Sequence, residues 1–202
     1  MSEPLLSLAG RQPEPGPHRG IDREGAEAAV GALLRALGQD VDDPQLRATP
    51  RRVVASLVDM LSPAAFNPTT FPNDDHYDQL VVARDIPMRS LCAHHMLPFV
   101  GVAHVAYLPG DRIVGLSKLA RVVEMFSRGL QIQERLTVQV GDWITEHLQP
   151  RGVGVVIEAE HLCMTLRGVN ARGARTVTSS LHGLVRDDPR TRAEFLALAR
   201  SP

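Results

Sequence analysis

The order in which apolar periodicity changes along these 202 residues limits the fold more than any single motif. Two stretches with helical spacing come first, then two with strand character, then two more helical stretches and two more strands. In the first stretch Asp22 offers an N-cap for a helix reaching Gly38, with Val30, Leu33, Leu34 and Leu37 on one face. The second takes Thr49 as N-cap and Pro50 at the first helical position; Val53, Val54, Leu57, Met60 and Leu61 line it, and Pro63 stops it. A polar, Pro-containing connection over 62–76 follows. Strands are expected over 80–86 and 100–107, with Pro109-Gly110-Asp111 turning the chain behind them. Ser117 then reads as the N-cap of a helix carrying Leu119, Val122, Val123 and Phe126. A further helix runs from 133 to 148 with Leu136, Val140, Trp143 and Ile144 inward. Strands over 154–159 and 176–181 and a short helix near 193–200 complete the chain. Elements grouped this way give an α+β domain built on an antiparallel sheet. Four strands are too few to close a barrel, which points to association through sheet edges.

Residues 1–20, rich in Pro and Gly, read as a flexible arm, followed by a helical segment over 21–75 and a sheet-bearing domain over 76–202. A formal net charge of -1 leaves no global basic field for nucleic acid, so an anionic ligand must be met by local cations. No apolar run approaches the ~18 residues of a membrane span. Residues 1–20 lack a basic start followed by an apolar run, so the expected location is the cytoplasm. Two cysteines do not make a disulfide framework, and in a reducing compartment Cys beside His suggests metal or chemistry.

The stretch Cys92-Ala93-His94-His95 places a thiol and an imidazole three residues apart, and Cys163 lies far downstream. Two cysteines and one of the adjacent histidines would hold zinc with its fourth position open, the arrangement of catalytic rather than structural zinc. The competing reading makes both cysteines small buried hydrophobes. His94 and His161, each next to a candidate ligand, suit proton transfer, whereas His104 in mid-strand reads as structural. Ser117 and Lys118 at a helix start, with Arg121 one turn on, favour an anion such as phosphate; Arg167 and Arg52 are further candidate cations. Plain surface solvation is the alternative for each of them. Gln133 and Glu134 open a helix, where a carboxylate either accepts two N–H bonds from a planar base edge or simply favours the helix N-terminus.

Taken together, residues 90–99, 104–107, 115–119, 131–137, 160–169 and 176–179 resemble the GTP cyclohydrolase I family, with weaker similarity from Thr49-Pro50 to Phe195. The resemblance implies Cys92, His95 and Cys163 as zinc ligands, and His94 and His161 as the groups that handle protons. It implies Glu134, helped by Gln133, at the guanine, and Lys118, Arg121, Arg167 and Arg52, with Ser117 nearby, at the triphosphate. The implied fold is the tunnelling fold, an antiparallel four-stranded sheet with helices on one face, here preceded by the helical segment. The implied assembly is a homodecamer of two face-to-face pentamers with active sites between subunits. The implied reaction is zinc-dependent opening of the guanine imidazole ring of GTP at C8, loss of formate and rearrangement to 7,8-dihydroneopterin triphosphate. That is the first step toward pterins and tetrahydrofolate. Ala93 stands where the family usually has Glu, Gly129 where Arg is common, and Asn170-Ala171 where a more basic pair is usual. These departures leave the implied zinc set intact and bear on affinity, subunit contacts or rate. A binding-only zinc oligomer and an enzyme acting on another purine or pterin are the competing functions. Spare imidazoles beside the metal speak against the first, and the cation cluster against the second.

Overall fold

A computed structural model describes residues 20–63 and 68–200, so the arm expected over 1–20 lies, Gly20 apart, outside the described residues. They fall into two compact units that divide between Ser62 and Pro63.

The first unit holds α1 (Arg23–Ala36) and α2 (Thr49–Leu61). Asp22 caps α1 as its sequence predicts, its carboxylate accepting the Gly25 N–H at 2.9 Å. Helix α2 differs from expectation by one position: Ala48 is the cap, without a side-chain bond, and Thr49 is already helical. Val54 is buried on α2, with Val53, Leu57, Met60 and Leu61 partly covered. The predicted apolar face of α1 is not closed off, since Leu33 and Leu37 remain 57% and 65% exposed.

The second unit runs β1 (Thr70–Pro72), β2 (Val81–Cys92), β3 (Pro98–Leu108), β4 (Arg112–Val114), α3 (Leu116–Ser127), β5 (Leu130–Gln131) and α4 (Gln133–Leu148). It continues with β6 (Gly152–His161), α5 (Leu162–Thr165), β7 (Thr176–Gly183), α6 (Leu184–Asp187) and α7 (Pro189–Ala199). The main sheet has the order β5-β2-β3-β6-β7; each of the four long strands runs antiparallel to its neighbours among them, and β5 adds a two-residue parallel edge. The mixed α+β architecture is therefore present, with a fifth short strand and a separate β1–β4 pair beyond the four strands expected. Thr70–Pro72, which the sequence places in a polar connection, pair with Arg112–Val114 and so belong to this second unit.

Alternation sorts the strand residues onto two faces. Ala103, Val105 and Tyr107 of β3 and Val153, Val155 and Ile157 of β6 meet Leu119, Val122 and Val123 of α3 and Leu136, Val140 and Ile144 of α4. Contrary to a one-faced arrangement, α6 and α7 cover part of the opposite face, where Ala106 and Leu108 meet Val185, Phe195 and Ala199. Gly154 makes this possible, because a Cβ there would lie 2.6 Å from the Phe195 ring. Helix α3 starts at Leu116 with Gly115 as cap, so Ser117 lies inside the first turn instead of capping it.

Candidate metal centre

Strands β2 and β6 both pair antiparallel with β3 and so run in the same direction on either side of it. Their C-terminal ends emerge together beside the start of β3, and each end carries a cysteine: Cys92 closes β2, and Cys163 lies in the turn of α5 just after β6. Short β5 joins the same end by pairing Gln131 with Cys92, which delivers the first turn of α4 there as well. Sheet topology thus gathers residues from 92 to 163 that no local spacing could bring together.

The Cys92–Leu97 turn is pinned by its own backbone. Cys92 N–H donates to Leu97 O at 2.9 Å and Met96 N–H to Cys92 O at 2.8 Å, with Met96 in the left-handed region at φ 53°. This presents Cys92 Sγ and His95 Nδ1 3.8 Å apart, while Cys163 Sγ lies 4.0 Å from Cys92 Sγ. All three donor atoms fall within 4.8 Å of one another. Donors at zinc distances of about 2.0–2.3 Å in tetrahedral disposition stand roughly 3.6–3.8 Å apart, so the spacing fits one ion of that size. Two thiols and an imidazole are also the donors zinc prefers over magnesium or calcium. Burial and the neighbouring Cys92 thiol push the Cys163 thiol up, against a smaller pull from Arg167. A bound cation is what turns such a thiol into a thiolate.

The second histidine of the turn also lies near Cys92 but is not among the three mutually close donors. His94 Nδ1 lies 3.9 Å from Cys92 Sγ, and its ring meets that of His95 edge-on at 6.3 Å and 79°. His161 approaches from β6. It pairs across the sheet with Phe99, and the two rings stack at 4.6 Å with 4° between their planes. His161 Nε2 lies 2.7 Å from Gln133 Oε1. Burial holds the His161 imidazole below its ordinary basicity, with the Glu134 carboxylate pulling the other way.

Of the remaining predicted residues, Glu134 is exposed at the start of α4 and acts electrostatically on His161, and exposed Arg167 does the same on Cys163. Ser117, Lys118 and Arg121 stand on the first two turns of α3, exposed or partly so. Arg52 is exposed on α2, in the other compact unit. His104 is buried as expected of a structural residue, its Nδ1 accepting the Asp85 N–H at 3.3 Å. Gln133 is 1% exposed and its amide is bonded inside the protein. Sequence reasoning missed Phe99, Thr137 and Thr178, the last two joined by a 2.6 Å hydroxyl bond behind Gln133. Strand register could have found Phe99 and Thr178, and Thr137 follows Gln133 by one turn of α4.

Two of the departures from the resembled pattern have backbone reasons. Gly129 adopts φ 139° and Asn170 φ 49°, conformations in which glycine and asparagine are at ease and arginine is strained. Ala93 is partly buried and its N–H donates to Gln131 O at 2.9 Å.

Comparison with known proteins gives one consistent result. A family model described as GTP cyclohydrolase I matches residues 26–200. The chain is 52% identical over 186 residues to a "GTP cyclohydrolase 1" of Synechococcus sp. (strain JA-2-3B'a(2-13)), covering 87% of this chain and 78% of that one. It is 41% identical over 211 residues to the human "GTP cyclohydrolase 1", covering 99% and 82% of the two chains. A Mycobacterium tuberculosis protein of the same name is 48% identical over 185 residues, covering 89% and 92%.

Proposed function

The chain belongs to the GTP cyclohydrolase I family and is a hydrolase of that kind, and from this premise we propose how its own residues perform the reaction. Cys92, His95 and Cys163 hold zinc, and the single observation that carries the reading is their convergence within 4.8 Å at the shared end of β2 and β6. Zinc with an open position supplies activated water for hydrolysis near neutral pH.

Every other task falls to side chains. Glu134, exposed at the start of α4 and close enough to influence His161, accepts the N–H edge of the guanine. Lys118 and Arg121, with Ser117, grip the triphosphate at the N-terminal turns of α3, where backbone N–H groups and the helix dipole add to their charge. Arg167 completes the set of cations. His161, its basicity lowered by burial, takes and returns a proton at the imidazole ring of GTP. His94, whose Nδ1 lies 3.9 Å from Cys92 Sγ, serves the second proton-transfer position. Ring opening at C8, release of formate, rearrangement of the ribose and closure then give 7,8-dihydroneopterin triphosphate, the entry to pterins and tetrahydrofolate. The fold is the tunnelling fold, assembled as a decamer of two pentamers with active sites between subunits, in the cytoplasm. No described helix is long and apolar enough to cross a membrane.

The test is direct. Zinc-loaded protein incubated with GTP releases formate and a product that oxidises to fluorescent neopterin. Neither product appearing while GTP stays bound would refute the assignment and favour a binding protein. Cys163→Ala loses zinc and turnover together, whereas His161→Ala keeps zinc and loses turnover. Full turnover in Cys163→Ala would refute the three-ligand centre.

A further inference from the structure

Gln133 and Glu134 are neighbours at the start of α4, yet their surroundings differ completely. Successive helix residues point about 100° apart, so the two side chains cannot share one ligand edge without distortion. Glu134 is exposed and Gln133 is 1% exposed. The Gln133 amide nitrogen has Ile157 O at 3.1 Å, Thr176 O at 2.9 Å and Thr178 Oγ1 at 3.2 Å. Two of these are backbone carbonyls, which only accept, so this end of the amide is the NH2 group. The other end is therefore the oxygen, and it lies 2.7 Å from His161 Nε2. An amide oxygen also only accepts, so Nε2 carries a hydrogen, and a neutral imidazole carries only one. Nδ1 is left bare. Phe99, stacked at 4.6 Å and 4°, fixes the plane of the same ring.

We infer that Gln133 is the positioning residue of His161: it sets the Nε2–H tautomer and, with Phe99, aims bare Nδ1 at the substrate, and it does not bind the guanine. The proton that His161 moves enters and leaves at Nδ1. Nε2 keeps its own hydrogen throughout, and the Gln133 oxygen accepts it whether the ring is neutral or cationic. The inference rests on the proposed role of His161 in proton transfer.

Gln133→Leu fills the same space without an acceptor. The expected result is a kcat lower by about 10–100-fold, the loss typical when the outer partner of a site histidine is removed, with KM for GTP nearly unchanged. Zinc content and assembly size remain those of the parent protein. A raised KM at unchanged kcat would mean that Gln133 contacts the base, and would overturn the inference, as would no change in either constant. The double variant with His161→Ala is no slower than His161→Ala alone, because a positioning residue has nothing left to position; additive losses would overturn it. Turnover undiminished in His161→Ala would instead sink the proposed role of His161 itself. One measurement needs no Gln133 variant. Solid-state 15N spectra of histidine-labelled, zinc-loaded protein, compared with His161→Ala, show His161 with a protonated Nε2 and a bare Nδ1. The opposite tautomer refutes the assignment.

Discussion

The contact between Gly154 and Phe195 can be tested with two substitutions whose effects do not add. A methyl at Gly154 would lie 2.6 Å from Phe195 Cε1, 2.8 Å from Cδ1 and 2.9 Å from Cζ, closer than carbon atoms approach. The ring cannot retreat, since it is fully buried among Leu80, Ala106, Leu108, Val185 and Ala199. Gly154→Ala is therefore overpacked by about 1–3 kcal/mol, which lowers Tm by roughly 2–12 °C in a chain of this size. Phe195→Ala removes the ring and costs about 3–5 kcal/mol. In that background the Gly154 methyl meets only a cavity, and alanine regains the about 0.5–1 kcal/mol that glycine forfeits within a strand. The two effects of Gly154→Ala have opposite sign, so the coupling is about 1.5–4 kcal/mol, from the middle of the range usual for touching residues to just above it. Thermal unfolding of the four proteins, at one protein concentration so that assembly contributes equally, measures it. Additive changes in Tm would refute the steric argument, as would a Gly154→Ala protein as stable as its parent. Gly154 pairs with Ala106 and Leu181 at the far end of β6 from His161, so zinc content and kcat of Gly154→Ala stay at parental values.

Three further outcomes follow from single contacts. Phe99→Leu keeps an apolar side chain under His161 but loses an aromatic stack worth about 0.5–1.5 kcal/mol; kcat falls about 2–10-fold at constant KM, and an unchanged kcat shows that the stack does not orient the ring. Chelation of the metal abolishes turnover, and zinc restores it, while far-UV circular dichroism stays constant because the strands are held by their own apolar core; a collapse of the spectrum on chelation would mean a structural metal. Asp188 caps α7 by accepting from Thr191 Oγ1 and from the Thr191 and Arg190 N–H groups, which hold its carboxyl below the ordinary 3.8. A depressed folded value means that this stabilisation is complete above 3.8 and fades as pH falls toward the folded value. The denaturation midpoints of Asp188→Ala and parent protein therefore converge in acid, and a gap that stays constant over that range counts against the cap.

How far the fold was legible depended on whether each element advertised a single period. Helix α4 did so with Leu136, Val140 and Ile144, and the structure buries all three. Strand β2 did not, because a bulge between Ala83 and Ile86, with Asp85 at φ 54°, moves its inward set from Val81 and Ala83 to Ile86, Met88 and Ser90. That change of phase hides the second half of the strand, the half that ends in Cys92. The three-residue strand β1 contains Pro72 and reads as loop for the same lack of a repeating pattern. Ser117 and Thr49 look like caps by residue type, but both have already entered their helices, and side-chain identity fixes such an end only to within a residue or two.

The site was legible where its spacing was local and opaque where it was topological. Cys92 and His95 announce themselves by three-residue spacing in one turn. Cys163 becomes a partner only because β2 and β6 flank β3 in the same direction, a relation that appears in the strand order and nowhere in the sequence around residue 163. Gln133 is the sharper case. Its type and place beside Glu134 suggest a ligand contact, while its burial turns the amide toward Ile157, Thr176 and His161. A buried amide with both ends bonded has no group left over for a ligand, and breaking those bonds to bind one would leave backbone carbonyls unpaired. The bonding pattern thus leaves Glu134 as the exposed member of the pair and turns the Gln133 oxygen toward His161.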